Sequence, residues 1–129
     1  VRTFDKNVKA MVRKRMSEIV SGHSTSFGVE ATLRYEDGYP PTINNADNAN
    51  FAIAVAKEIV GEEHADGQRG IEMGAEDFSY MLEERPGAYL FLGIGEAAGP
   101  HNPNYDFNDE ASPYGASFFA RLVETAQPL

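Results

Sequence analysis

Cysteine is absent from the 129 residues. That absence excludes disulfide frameworks, thiolate zinc sites and thiol nucleophiles within the chain. It fits a reducing compartment, so a cytoplasmic location is expected. Long apolar runs are missing as well. No stretch approaches the roughly 18 residues that cross a bilayer, and no signal peptide is expected. Basic residues are scarce, eleven against twenty acidic ones, for a formal charge of −9. Nucleic acid and anionic membranes both need basic patches, so neither is an expected partner. The chain also lacks a Gly-x-Ser-x-Gly elbow, a His-Glu-x-x-His helix, internal repeats and low-complexity tracts.

What is present is the composition of a globular protein, 42% apolar and 24% charged. The length suits about one small domain. The charge, however, is divided unevenly. Residues 1–45 hold seven Lys/Arg and five Asp/Glu, whereas residues 46–129 hold four and fifteen. The change falls near Gly38-Tyr39-Pro40-Pro41-Thr42. Two successive prolines can continue neither a helix nor a central strand, so a boundary between parts of two units is expected there.

Residues 1–4 read as a strand. Asp5 then caps an amphipathic helix whose apolar set is Val8, Met11, Val12, Met16, Ile19 and Val20, fading near Ser21-Gly22. Val29, Ala31, Leu33 and Tyr35 alternate with Glu30, Thr32, Arg34 and Glu36, the period of a strand with one solvated face. Strand, helix, strand is too little for an independent unit, so the chain is expected to be part of something longer.

Beyond the prolines, Asn45 caps a helix carrying Ala49, Ala52, Ile53, Ala56 and Val60, with Gly61 at its end. A helical stretch follows at residues 76–84. An apolar run at residues 88–93 reads as an interior strand, and a last helix runs from about Asp109 to Thr125 with Asn108 as its cap. The expected fold class is therefore α/β.

Two stretches carry candidate chemistry. His101 follows the apolar run, flanked by Pro100 and Pro103, at the carboxyl end of the expected strand, where open α/β sheets place ligands. An imidazole there with Asp106, Asp109 and Glu110 nearby suits a cation, but a surface-loop histidine ahead of a capped helix has the same sequence. Gly74 and Ala75 allow a close backbone approach to a ligand, while Glu76 and Asp77 also read as ordinary first-turn acids. Gly93-Ile94-Gly95 is not a dinucleotide loop, because no helix opens after it. His23 and His64 read as solvated.

Five segments in order cover nearly the whole chain: Val1-Arg2-Thr3-Phe4-Asp5, Gly38-Tyr39-Pro40-Pro41-Thr42-Ile43-Asn44-Asn45, Met73-Gly74-Ala75-Glu76-Asp77-Phe78, Pro86-Gly87-Ala88 with Phe91-Leu92-Gly93, and His101-Asn102-Pro103 with Phe107-Asn108-Asp109-Glu110. Together they resemble the C-terminal part of the M20 metallopeptidase family, in its branch of hippurate hydrolases and N-acyl-amino-acid deacylases. The resemblance implies an α/β catalytic domain with an inserted α+β lid that often mediates dimerisation. Residues 1–40 would be the last strand-helix-strand of the lid, and residues 41–129 the C-terminal portion of the catalytic domain.

By the same resemblance, His101 is the last ligand of a site for two divalent ions (zinc, manganese, nickel or cobalt). Arg2 lies near the substrate, and Gly74, Ala75 and Glu76 line its pocket. The implied reaction is hydrolysis of the amide bond of an N-acyl amino acid or small peptide. The family's general base and remaining ligands belong to upstream motifs that this sequence lacks. No catalytic residue is therefore assigned within the chain, which is expected to be inactive alone. Expected partners are the small substrate and either a second copy through the lid or a missing N-terminal part. The alternative is a non-catalytic interaction module in which His101 is incidental.

Overall fold

The computed structural model describes residues 1–128. Leu129, the last residue of the expected catalytic portion, lies outside them. Among the described residues four α-helices form: α1 (Lys6–Phe27), α2 (Ala46–Val60), α3 (Phe78–Glu84) and α4 (Ser112–Ala126). Short 3-10 turns occupy Glu62–His64 and Asp109–Ala111.

The α/β expectation is overturned. Among the described residues there is no β-strand and no sheet, so neither the strand-helix-strand end of an α+β lid nor part of an α/β catalytic domain is seen. Residues 1–4, 29–36 and 88–93 remain outside any ladder. Alternation and apolar runs describe how side chains are distributed, but a strand exists only through hydrogen bonds to a neighbour. Residues 30–36 make no backbone–backbone hydrogen bond.

The chain divides into two compact units, Val1–Ile43 with Ile71–Arg85, and Asn44–Gly70 with Pro86–Leu129. In the first unit, α1 begins where Asp5 accepts hydrogen bonds from the N–H groups of Asn7 (2.8 Å) and Val8 (2.9 Å). These satisfy two of the donors that a helix start leaves orphaned. Rather than fading at Ser21-Gly22, α1 continues to Phe27. Thr25 Oγ1 donates to the Ser21 carbonyl at 3.1 Å, and the His23 and Phe27 rings stack one turn apart. The stop comes at Gly28, whose φ of 63° is left-handed. There the N–H groups of Gly28 and Val29 donate back to Thr25 (3.4 Å) and Ser24 (3.1 Å), a Schellman closure.

No residue of α1 is buried. Val12, Met16 and Val20 are half-buried, and polar contacts join α1 to the rest of the unit beside them. Lys9 and Arg13 share Asp37 at 3.0 and 3.2 Å, and Lys6 reaches Glu83 at 2.7 Å.

The second unit is built on α2 against α4. Ala52 and Val55 of α2 and Ala111 before α4 are its buried apolar residues. Small side chains at this contact let the two helices approach, and Arg121 of α4 ties to Glu58 of α2 at 2.7 Å. The Asn45 side chain caps α2 by accepting from Asn48 N–H at 3.1 Å.

Candidate functional site

Arg2 and the segment 74–76 come together within the first unit. The Arg2 guanidinium donates Nη1–H to the carbonyl of Met73, the residue before Gly74. The bond spans 71 positions of sequence and reaches the residue before the segment 74–76, not the segment itself. Gly74 and Ala75 are exposed, and a Cβ at Gly74 would meet nothing within 4 Å, so this backbone is open to approach.

Glu76 is held from its other side. Its carbonyl accepts from Ser79 N–H at 3.2 Å and from Ser79 Oγ at 2.5 Å, with Ser79 fully buried. That turn precedes α3, which begins at Phe78 rather than at Glu76. Asp77 makes no side-chain cap bond.

His101 belongs to the second unit, on a loop closed at its base. Asn108 Nδ2 donates to the Ile94 carbonyl at 3.2 Å, while Asn108 Oδ1 caps the following 3-10 turn through Glu110 N–H at 3.1 Å. Inside the loop, Asn102 N–H donates to the Gly99 carbonyl, the Asn102 carbonyl accepts from Tyr105, and Asn102 Oδ1 accepts from Asn104, each at 2.9 Å. A loop whose ends meet and whose interior bonds to itself can present one side chain reproducibly. His101 itself is exposed.

Among the described residues no group of three or more His, Cys, Asp or Glu is placed to hold a metal ion. The donor set here is a single imidazole. Its chemistry and exposure suit one ligand of a centre completed by donors from elsewhere, and do not make a centre alone.

His23 and His64 are exposed, with His64 Nδ1 lying 2.9 Å from the Val60 carbonyl. A groove of about 760 Å³ borders α2, lined in part by Ile53, Lys57, Glu62 and Asp66. It contains no candidate site residue, and its Lys57 and Glu62 already pair at 2.8 Å. Asn102 and Asn108, which build the His101 loop, were not singled out as functional by sequence. The available signal was an asparagine two residues before each bond it accepts, the Asx-turn habit.

The chain is similar to known proteins along nearly its whole length. It matches the profile of Peptidase family M20/M25/M40 over residues 4–125. The chain belongs to that family. It is 30% identical to a hippurate hydrolase of Campylobacter jejuni, covering 95% of this chain and 32% of the relative. An Arabidopsis thaliana IAA-amino acid hydrolase ILR1-like 6 is 30% identical over 95% of this chain and 28% of its own length. An N-acetyldiaminopimelate deacetylase of Streptococcus suis is 31% identical over 88% of this chain and 30% of its own. All three bear the names of hydrolytic enzymes. The chain spans about one third of the length of the curated relatives it matches. No solved structure matches. No helix among the described residues is long and apolar enough to cross a membrane.

Proposed function

We propose that this chain is part of a metal-dependent amidohydrolase that cleaves the amide bond of N-acyl amino acids, hippurate-like compounds or small peptides. The observation that carries the reading is the Arg2–Met73 hydrogen bond, which joins the arginine to the backbone leading into Gly74-Ala75-Glu76. Family membership over residues 4–125 supports it. In this reading residues 1–40 belong to a lid or dimerisation domain and residues 41–129 to the catalytic domain. The working protein is a cytoplasmic homodimer, or the chain joins a separate N-terminal part.

Each residue has a definable task. Arg2 is a fork of five N–H donors. One bond goes to Met73, and the others face a substrate carboxylate or developing oxyanion. Gly74 and Ala75 bring backbone close to the substrate, and Glu76 lines the same pocket. His101 holds one of two divalent ions (zinc, manganese, nickel or cobalt), the remaining ligands and the general base coming from outside this chain. When bound, such ions lower the pKa of a bridging water and polarise the amide carbonyl.

The test is hydrolysis of hippurate by a polypeptide that joins this chain to the remaining ligands, compared with its Arg2→Lys variant. Lysine keeps the charge but loses the planar fork. A fall in kcat/KM with unchanged unfolding is expected. Equal kinetics would remove Arg2 from the site, and no hydrolysis of any N-acyl amino acid would overturn the reading. A non-catalytic interaction module is the second reading, favoured by the fact that α1 buries none of its residues.

A further inference from the structure

The sequence holds two Asp-Gly pairs, Asp37-Gly38 and Asp66-Gly67, and no Asn-Gly. In this dipeptide the glycine nitrogen can attack the carboxyl carbon of the aspartate, because a residue without Cβ leaves the approach open. All four residues are exposed, so access to water does not separate the two pairs. The hold on each carboxyl group does.

In the first unit, Asp37 Oδ1 lies 3.0 Å from Lys9 Nζ and Oδ2 lies 3.2 Å from Arg13 Nη1. Both oxygens are engaged by α1, and these partners keep the carboxyl ionised. An ionised carboxylate has no hydroxyl to lose as water, so cyclisation is opposed there. In the second unit, Asp66 Oδ1 accepts the Gln68 N–H at 2.7 Å. That Asx turn folds the side chain over the Gly67 nitrogen instead of tying it to another element. Lys57, the one lysine of the groove that Asp66 borders, is already paired with Glu62 at 2.8 Å. The Gly67 N–H donates to no backbone carbonyl.

We propose that Asp66-Gly67 is a covalent self-modification site, where the aspartate isomerises through a cyclic imide to an isoaspartyl linkage, while the α1 clamp protects Asp37-Gly38. The Gly67 nitrogen bonds to Asp66 Cγ, and the carboxyl hydroxyl leaves as water with the amide hydrogen. Water then re-enters at either carbonyl of the ring. Opening at the side-chain carbonyl restores aspartate. Opening at the main-chain carbonyl leaves the backbone running through the former side chain, one methylene longer, with a free α-carboxylate. That carboxylate stands in the stretch Asp66 to Gln68, which lines the groove beside α2. Its chemistry suits a carboxyl methyltransferase that uses S-adenosylmethionine.

The 129-residue chain itself is the material for the test. It is aged at about pH 5, where ordinary carboxyls are partly protonated, once folded and once unfolded in urea. Peptide mapping with electron-transfer fragmentation counts isoaspartate at both positions, and the ratio of folded to unfolded rate removes the influence of neighbouring sequence. Position 66 should keep its unfolded rate within about twofold, while position 37 should fall about fivefold or more, the hold of two exposed ion pairs. Lys9→Ala, which preserves helix propensity, should speed position 37 by about twofold or more in the folded chain. Gly67→Ala should remove most of the product at position 66, and its Cβ, 3.5 Å from Ile53, makes only ordinary contact. Equal folded-to-unfolded ratios at the two positions, a position 37 indifferent to Lys9→Ala, or undiminished product in Gly67→Ala overturns the proposal. None of these outcomes bears on hydrolysis, which the hippurate assay decides separately.

Discussion

The side-chain amide of Asn44 bonds the backbone of Tyr89 twice: Nδ2 donates to the carbonyl at 3.0 Å and Oδ1 accepts the N–H at 2.8 Å. One side chain does locally what a neighbouring strand would do, and beside it the Asn45 N–H donates to the Gly87 carbonyl at 2.9 Å. The apolar run 88–93 is thereby pinned at the start of α2. Asn44→Ala removes both side-chain bonds and should lower stability by about 1–3 kcal/mol. Asn44→Asp keeps the acceptor but sets a carboxylate oxygen against a carbonyl, so it should not rescue. Urea unfolding followed by circular dichroism measures both, and a shift in midpoint below a few tenths molar for Asn44→Ala would refute the pinning role.

Two glycines of the α1 region should respond oppositely to alanine. Gly22 lies inside α1, where a Cβ meets nothing within 4 Å. Gly22→Ala should stabilise by about 0.5–1 kcal/mol through lower entropy of the unfolded chain and better helix propensity. Gly28 has a φ of 63° in open space, so Gly28→Ala meets only backbone strain, about 1–2 kcal/mol against folding. Thermal unfolding of the two variants should therefore move in opposite directions.

These glycines also show what was legible in the sequence. The caps Asp5 and Asn45 were readable because a capping side chain acts within three residues of itself, whereas Asn108, read as the cap of the last helix, caps the 3-10 turn ahead of α4, which starts at Ser112 without a side-chain cap. The end of α1 was not, because Ser21-Gly22 has the composition of a stop, while the actual stop depends on the left-handed geometry of Gly28. Alternation at residues 29–36 was real, yet pairing is a property of the neighbour and not of the segment. The Arg2–Met73 bond left no local pattern at all, because its partners lie 71 positions apart.

Asp37 provides a pH dependence whose sign follows from its partners. The hydrogen bond from Lys9, with the charges of Lys9 and Arg13, holds its carboxyl below the usual aspartate range. A group whose pKa falls on folding contributes above its unfolded value and loses that contribution as pH drops through the folded one. The clamp of residue 37 on α1 should accordingly be intact at neutral pH and released below about pH 4. Because the pair is solvent-exposed, salt should weaken it as well. The side-chain nitrogen resonances of Lys9 and Arg13 should shift on acidification in the wild type and stay pH-flat in Asp37→Asn. Identical profiles would remove the clamp.

The sharpest consequence attaches to His101. In a two-ion hydrolytic centre the ligands are divided between the ions, so losing one imidazole should release one ion far more readily than the other. The loop around His101 is bonded through Asn102 and Asn108 rather than through the imidazole, so His101→Ala should leave its backbone in place. In the polypeptide that supplies the remaining ligands, His101→Ala should lower bound divalent metal towards one per subunit. Turnover should fall on the order of a hundredfold or more, the scale at which removal of one electrostatic stabiliser of the transition state acts. His64→Ala, whose ring lies beside the Val60 carbonyl, should change neither quantity. The 129-residue chain alone, with its single imidazole donor, should bind zinc or manganese weakly and hydrolyse nothing. Metal analysis finding two tightly held ions and normal hydrolysis in His101→Ala would take His101 out of the centre.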